Sequence, residues 1–397
     1  DDHTVAVTNR AQKWVELAAT SRGGGPRRLP ENYVYTSITY NGKVVIPATV
    51  TYGGITYTVV QILADTFRNT SNLTSITIPY SVTSIGEDAF YKCSGLKELI
   101  VEDGEKELYM GYTSYYANMW VTPFYYCPLT SIYLGRNLSE ISKNNFAGCH
   151  AGGIYSEFAY YLSSVVIGPK VTRINSSMFD YASNSSKLRV TGGENVETIG
   201  NNAFYHSGLI SIELHNSLKS IEENSFYGCS SLKQISLPKS LTVIGNSAFM
   251  NCSSLSQIYP LWENPISINK NVFPDAVYTN ATLLVPGGTV KNYQATSAWN
   301  QFANIVPTSI GVRMTATAGG SVRLGDEVVT DGTTLLQVKP NSVLTFEITA
   351  EDTHFLESVV LNGEDVTAQV ADGRLTPTDL SEDLELTVTF AAKPYYT

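Results

Sequence analysis

The sequence predicts a β-rich fold of α+β class: a solenoid of short stacked coils with an N-terminal β cap and a C-terminal helical cap, then a small all-β domain. Three observations predict it. First, an I-x-x-x-x-F element recurs, ending at Phe67, Phe90, Phe124, Phe146, Phe179, Phe204, Phe226, Phe249 and Phe273, at intervals of 23, 34, 22, 33, 25, 22, 23 and 24 residues. Second, a short apolar strand pattern follows most of these phenylalanines by five or six residues, as in Leu73 to Ile78, Leu209 to Leu214 and Leu232 to Leu237. Third, the period stops near residue 307, and short strand patterns separated by turn signals replace it.

A period of 20–29 residues with an L-x-x-I-x-L core is the pattern of a leucine-rich-repeat solenoid. One coil buries too little apolar surface to be stable alone, whereas stacked coils share a continuous core and pair their strands into a parallel sheet. In the repeat from Leu232 to Phe249 the strand supplies Leu232, Ile235 and Leu237, the return leg supplies Leu241 and Ile244, and Phe249 fills the turn. The glycine after the isoleucine (Gly86, Gly200, Gly245) marks a backbone conformation closed to residues with a Cβ. Asn175, Ser142 and Glu222 stand there in other repeats, so the demand is not absolute.

Residues 1–60 read as an N-terminal arm and β cap. Ala11 to Ala19 predicts a short helix with Trp14 and Leu17 on one side, and Ser21 to Arg28 a loop. The glycine triplet there lacks the G-K-[ST] of a phosphate-binding loop. Tyr33 to Val60 alternates as strands do, with Asn41-Gly42 as a hairpin signal between Tyr33–Tyr40 and Lys43–Pro47. Such a cap covers the open core and unpaired edge at a solenoid end.

Residues 61–307 form the solenoid with its C-terminal cap. All five cysteines (Cys93, Cys127, Cys149, Cys229, Cys252) lie three residues after a repeat phenylalanine, where other repeats carry Thr70, Ala182, Ser207 and Ala276. The column asks for a small side chain, and free cysteine behaves as a small buried hydrophobe. C-x-x-C spacing for zinc is absent, and the count is odd, so reduced buried thiols are expected. Met119 replaces the isoleucine before Phe124, and the strand at Leu188–Val190 is shortened, so irregularity is expected at both. Leu283 to Pro286 predicts a closing strand and Thr289 caps a helix carrying Val290, Tyr293, Trp299 and Phe302.

Residues 308–397 predict an all-β, Ig-like module with strands at Val312–Thr317, Ser321–Leu324, Leu335–Val338, Leu344–Ile348, Val359–Leu361 and Leu384–Phe390. Its acidic residues lack D-x-D-x-D-G spacing for calcium.

Two repeats carry tyrosine-rich insertions, Glu102 to Trp120 (Tyr109, Tyr112, Tyr115, Tyr116) and His150 to Tyr161 (Tyr155, Phe158, Tyr160, Tyr161). Insertions in repeats map to loops, often on the binding face. Two readings stand: the rings fold back to cover the solenoid, or they recognise a partner.

The motif L-x-x-I-x-L-P-x-S-L-x-x-I-G-x-x-A-F-x-x-C resembles the BspA-like leucine-rich repeat of bacterial surface proteins, across residues 62–286. The ending from Val285-Pro286 through Trp299, Phe302 and Ile305-Val306 also resembles that family. In the tail, Val322, Phe346, Ile348 and Ser358 to Gly363 resemble the divergent B-repeat modules of internalin-type proteins. The resemblance implies an exported protein at the outer cell surface that binds a protein or glycan of a host or neighbouring cell. No ligand-binding residue transfers, because the family motif is a core motif.

Net charge is −10, divided as +2 over residues 1–30, −3 over 31–307 and −9 over 308–397. Nothing resembles the basic stripe that nucleic acid requires. No run reaches the length of a membrane span, and a secretory signal is not visible, which says nothing for the cytoplasm. The five histidines form no H-E-x-x-H and no G-x-S-x-G is present, so neither catalysis nor cofactor is expected. The reading is a monomeric surface binding or adhesion protein. Its alternatives are a spacer displaying the β module and an accessory to a carbohydrate-active enzyme. The outward strand positions Glu98, Tyr133, Ser164, Glu213, Gln234 and Tyr259 are mixed polar and aromatic. The expected contact centres on Tyr112, Tyr115, Tyr116, Tyr133 and Tyr259, since rigid aromatics carry binding energy at little entropic cost.

Overall fold

The structure, a computed structural model, describes residues 4–7, 15–16, 40–111, 113–116, 119–121, 123–139, 161–182, 188–339, 342–378 and 383–393. At 4–7, 15–16, 52, 113–116 and 119–121 only the backbone is described. The expectations for Phe146, Ser142, Cys149, the loop 21–28, the strand 33–39 and most of the second insertion lie outside these residues. The chain divides into two compact units, residues 1–257 with 268–278, and residues 258–267 with 279–397.

In the first unit the apolar coil strands up to Leu209–Ile212 join one parallel sheet, while Gln234–Leu237 belongs to another sheet. The seven strands of the former follow chain order: Gly42–Val45, Leu73–Ile78, Glu98–Val101, Ser131–Arg136, Ser164–Lys170, Leu188–Gly192 and Leu209–Ile212. Alternate residues face the core, so Leu73, Ile76, Ile78, Leu99, Val101, Ile132 and Leu134 are buried. The two-residue strands Arg173–Ile174, Thr198–Ile199, Ser220–Ile221 and Val243–Ile244 pair in parallel on the return leg.

The repeat phenylalanines stack ring on ring. Phe67, Phe90 and Phe124 follow each other at 4.9 and 4.8 Å, and Phe179, Phe204, Phe226, Phe249 and Phe273 at 5.3, 5.4, 5.1 and 5.2 Å, with interplanar angles of 14° or less. The turn around each ring uses left-handed backbone twice. Asp65, Asp88, Ser177, Asn202, Asn224 and Ser247, two residues before a phenylalanine, have positive φ, and so do Asn69, Lys92, Tyr126, Tyr181, His206, Gly228 and Asn251, two residues after one. This alternation turns every second N–H toward the next coil. Asn202, Phe204 and His206 donate to the carbonyls of Glu223, Ser225 and Tyr227 at 3.1, 2.8 and 2.7 Å. The turn thereby satisfies its backbone between coils instead of within one.

That finding corrects the reading of the conserved-looking I-G step. Gly86, Gly200 and Gly245 do not have positive φ. Each lies against the preceding coil: an added Cβ would fall 2.3 Å from the Ala64 nitrogen, 2.6 Å from that of Ser176 and 2.5 Å from that of Glu223. Close approach, not dihedral freedom, selects glycine.

The irregular repeat before Phe124 is also corrected. Met110, not Met119, takes the isoleucine place, because Tyr109–Met110 pairs in parallel with Ser84–Ile85, and Gly111 follows it against Ile85 and Glu87. The extra residues fall between Gly111 and Phe124, where Thr113–Tyr116 and Met119–Val121 pair as an antiparallel ribbon. The strand at Leu188 is not shortened; it runs five residues to Gly192, with a register shift at Leu188/Arg189 against its neighbour.

At the N-terminus, Val15–Glu16 is a strand antiparallel to Thr4–Val7, which joins Ile55–Ile62 in parallel; the helix expected over Ala11 to Ala19 is a strand at Val15 and Glu16, and the rest of that stretch lies outside the described residues. Gly42–Val45 pairs in parallel with the first repeat strand, so Asn41-Gly42 opens a sheet strand. The described hairpin lies at Gly53-Gly54, both left-handed, between Thr49–Tyr52 and Ile55–Ile62.

The second unit contains the parallel pair Thr282–Val285 and Asn304–Pro307, the helix Val290–Ala295 and the 3-10 turn Trp299–Gln301. Tyr293 and Trp299 are buried, donating to the carbonyls of Trp262 at 2.8 Å and Ile266 at 2.7 Å. Thr289 does not cap this helix with its side chain; its hydroxyl donates backward to the Pro286 carbonyl at 2.7 Å. The six expected tail strands fall on Ile310–Ala316, Gly320–Leu324, Gly332–Val338, Phe346–Ala350, His354–Leu361 and Leu384–Ala392. With the short strands Glu327–Val329, Glu364–Asp365 and Arg374–Leu375 they form a five-stranded and a four-stranded sheet around a core that includes Val312, Met314, Phe346, Leu386 and Val388.

Candidate functional site

The register lines the residues between the buried ones into two rows, though Ser75 is itself buried and the last strand, Leu209–Ile212, enters only the first row. One row is Lys43, Ser75, Glu98, Ser131, Ser164, Arg189 and Ser211. It is polar and internally linked, with Lys43 3.7 Å from Glu98 and Arg189 donating to the Ser211 hydroxyl at 3.3 Å. The other row is Val45, Thr77, Ile100, Tyr133, Val166 and Thr191. Val45 is 67% exposed and Val166 37%, while Ile100 and Tyr133 are half-buried. Thr77 interrupts this row between Val45 and Ile100, and Thr191 ends it.

Tyr133 sits at the centre of this row and is fixed. Its hydroxyl donates to Asp103 Oδ1 at 2.7 Å, a bond that, with burial, pushes the phenol up to about 12. The strand ends make room for this pair. A Cβ on Gly135 would lie 2.6 Å from Asp103 Oδ1, and one on Gly168 2.9 Å from the Tyr133 hydroxyl. Beside them Arg136 is wholly buried, donating to the carbonyls of Tyr80 at 2.6 Å and Pro79 at 2.9 Å. Burial draws its guanidinium down to about 10. These hydrogen bonds tie the end of Ser131–Arg136 to the end of Leu73–Ile78, while Arg136 Nε has no hydrogen-bond partner among the described residues.

The five expected site residues fare differently. Tyr133 lies on the sheet face. Tyr115 and Tyr116 belong to the ribbon strand Thr113–Tyr116, described by its backbone, and Tyr112 lies outside the described residues. Tyr259 is half-buried in Gln257–Pro260, in the second unit. Val45, Ile100, Val166, Asp103 and Arg136 escaped the reading of the sequence. Taking both outward positions of every strand, not one, would have found the apolar row.

Among the described residues no three His, Cys, Asp or Glu side chains gather as metal ligands, and no helix is long and apolar enough to cross a membrane. A small cavity lined by Ile167, Val190, Val196, Ile212, His215 and Leu218 lies under the sheet, with His215 Nε2 3.2 Å from the Gly192 carbonyl. It belongs to the core.

Residues 121–154 and 153–279 match the family model of the BspA type leucine rich repeat region, in six copies. Residues 121–279 thus carry repeats of the BspA type. Solved structures similar to this chain include a leucine rich cell surface protein from Faecalibacterium prausnitzii A2-165, at 28% identity over 59% of this chain and 51% of that one, with a TM-score of 0.31. The pneumococcal vaccine antigen PcpA is similar at 19% identity over 68% and 89%, TM-score 0.30. A leucine-rich repeat protein from Bacteroides ovatus ATCC 8483 is similar at 19% over 69% and 74%, TM-score 0.31. The chain thus spans about half the length of the Faecalibacterium protein. Among curated proteins nothing matches.

Proposed function

We propose that this chain is a non-enzymatic binding protein of a bacterial cell surface, recognising a protein or glycan through the outward sheet face and the tyrosine-bearing insertion. The observation that carries the proposal is the row Val45, Ile100, Tyr133 and Val166, apolar and solvent-facing beside a polar row. An interface needs an apolar centre within a polar surround, and an aromatic anchor held in one rotamer loses little entropy on binding. The BspA-type repeats support the surface location. In this reading residues 61–307 act as one solenoid that the helix Val290–Ala295 helps close, residues 1–60 cap its start, and residues 308–397 are a separate module of B-repeat character. The chain acts as a monomer.

The test begins with a screen of extracellular-matrix proteins and glycans. For a ligand so found, Tyr133→Ala should weaken binding by about 1–2 kcal/mol, and Tyr115→Ala with Tyr116→Ala by a similar amount, with the melting temperature of the insertion variant unchanged. A screen without any ligand favours the spacer role, and undiminished affinity in both variants removes the site from this face.

A further inference from the structure

The two tail sheets end in four edge strands, and three of them are blunted. Glu364–Asp365 and Arg374–Leu375 are two residues long and Glu327–Val329 three, and each carries charge. Short length and charge are the usual defences of an unpaired sheet edge. The fourth edge strand, Gly332–Val338, has neither. It runs seven residues, Gly-Thr-Thr-Leu-Leu-Gln-Val, without a charge, a proline or a bulge.

One side of this strand pairs with Ile310–Ala316 along its whole length, from Val338 opposite Ile310 to Gly332 opposite Ala316. Among the described residues no strand pairs with its other side. Alternate residues of an antiparallel strand send both N–H and C=O away from the partner, so a row of backbone donors and acceptors faces outward there. Thr334, Leu336 and Val338 are half-buried, and Leu336 and Val338 pack on the core of the tail sheets. Thr333, Leu335 and Gln337 alternate with them on the exposed face, Leu335 at 59% exposure.

The charges just beyond the strand select its occupant. Asp331 and Lys339 are exposed, one at each end, and both stand four residues from Leu335. An antiparallel copy of the strand centred on Leu335 therefore sets Asp331 of each chain opposite Lys339 of the other. In that register Leu335 meets its own counterpart and Thr333 meets Gln337 on the exposed face, while Thr334 meets Leu336 on the core side. Opposite charges and apolar pairs facing each other across strands are stabilising, and like charges are not. Centring on Thr333 or on Gln337 would instead put Asp331 or Lys339 opposite Leu335, so the charges fix the register as well as the partner.

We infer that Gly332–Val338 pairs with the same strand of a second copy of this chain, antiparallel and centred on Leu335, so that two five-stranded sheets become one continuous sheet across a twofold axis. Each chain offers one such edge, so the pairing closes at two chains. The charge of −9 over residues 308–397 opposes approach, but in physiological salt charges separated by more than about 8 Å are largely screened, whereas the facing Asp331–Lys339 pairs are near neighbours. One pair of seven-residue strands is a small contact, at the low end of interface sizes. The dilute chain is therefore the monomer of the proposed function, and pairing sets in where chains are concentrated. The inference is independent of the sheet-face reading.

Sedimentation equilibrium of the full chain in physiological salt, from micromolar to near-millimolar concentration, tests the pairing. The expected result is a reversible monomer–dimer equilibrium. Asp331→Lys alone and Lys339→Asp alone should each weaken it by about tenfold, because both facing pairs turn repulsive. The two changes in one chain should restore it, and so should an equimolar mixture of the two single variants. Leu335→Lys should abolish the dimer by setting like charges on the axis. All three side chains are exposed, so each variant should fold as the parent does. A parent that stays monomeric at every concentration overturns the proposal. So does a dimer that survives Leu335→Lys, and so does a double variant that regains nothing the single ones lose.

Discussion

Gly245 shows how a glycine can recur from repeat to repeat for a reason other than backbone freedom. Its φ is ordinary, but a Cβ would meet the backbone of Glu222 and Glu223 at 2.6 and 2.5 Å. Backbone cannot swing aside as a side chain can, so the coils must part. Gly245→Ala should therefore lower stability by about 1–3 kcal/mol, the usual cost of overpacking, read as a reduced urea midpoint. An unchanged midpoint would mean that the coils separate freely. Asp180 is the residue-scale source of pH dependence. Its carboxyl is pushed up to about 7 by burial, and Oδ1 has no hydrogen-bond partner among the described residues. The folded state holds this proton more tightly than the unfolded chain, whose aspartate titrates near ~4. Its contribution is thus fully present below that value and is lost as pH rises through about 7. Thermal melts at pH 5 and pH 8 should differ less for Asp180→Asn than for the parent, with the variant the more stable at pH 8. Equal pH slopes would show that Asp180 is solvated when folded.

At the scale of the element, the phenylalanine ladder and the cysteine column are one device. Each described cysteine thiol donates to the carbonyl of the preceding coil's phenylalanine: Cys93 to Phe67 at 2.9 Å, Cys127 to Phe90 at 3.0 Å, Cys229 to Phe204 and Cys252 to Phe226 at 3.1 Å. The four are free and buried, and burial pushes Cys229 up to about 12 and Cys252 well above its ordinary value. A thiol so protected is a poor nucleophile. Phe226→Ala should cost about 3–5 kcal/mol, since it opens a hole between two stacked rings; a smaller loss in chemical denaturation would mean that Phe204 and Phe249 close over the gap. The recurring phenylalanine and small-residue columns were legible because burial leaves a fixed period in the sequence. The thiol–carbonyl bonds were not, because side-chain spacing does not reveal which backbone carbonyl points inward. Likewise Met110 was passed over for Met119: both precede Phe124, and only strand pairing with Ser84–Ile85 decides between them. Tyr133 was legible as an outward strand residue, but its bond to Asp103 joins two coils and has no signature along the chain.

For the whole molecule, stability is set by two cores. The first unit is built of coils that each touch their neighbours, so its free energy is a sum of coil and interface contributions. The second unit centres on the aromatic group Trp262, Tyr293 and Trp299 and on the apolar core of the tail sheets. The spectroscopic probes divide along the same line. Cys93, Cys127, Cys229 and Cys252 lie in the first unit, and Trp262 and Trp299 in the second. Replacing Trp14 and Trp120 by phenylalanine leaves tryptophan emission to report the second unit alone. In a urea titration of that variant, thiol labelling and tryptophan emission should follow separate transitions, because the chain divides into two compact units. With Cys149 replaced by serine, labelling should be negligible before the first unit's own transition, as the four described thiols are buried. Superimposed curves at every urea concentration would instead make the chain a single cooperative unit, and labelling in native buffer would place the cysteine column within reach of solvent.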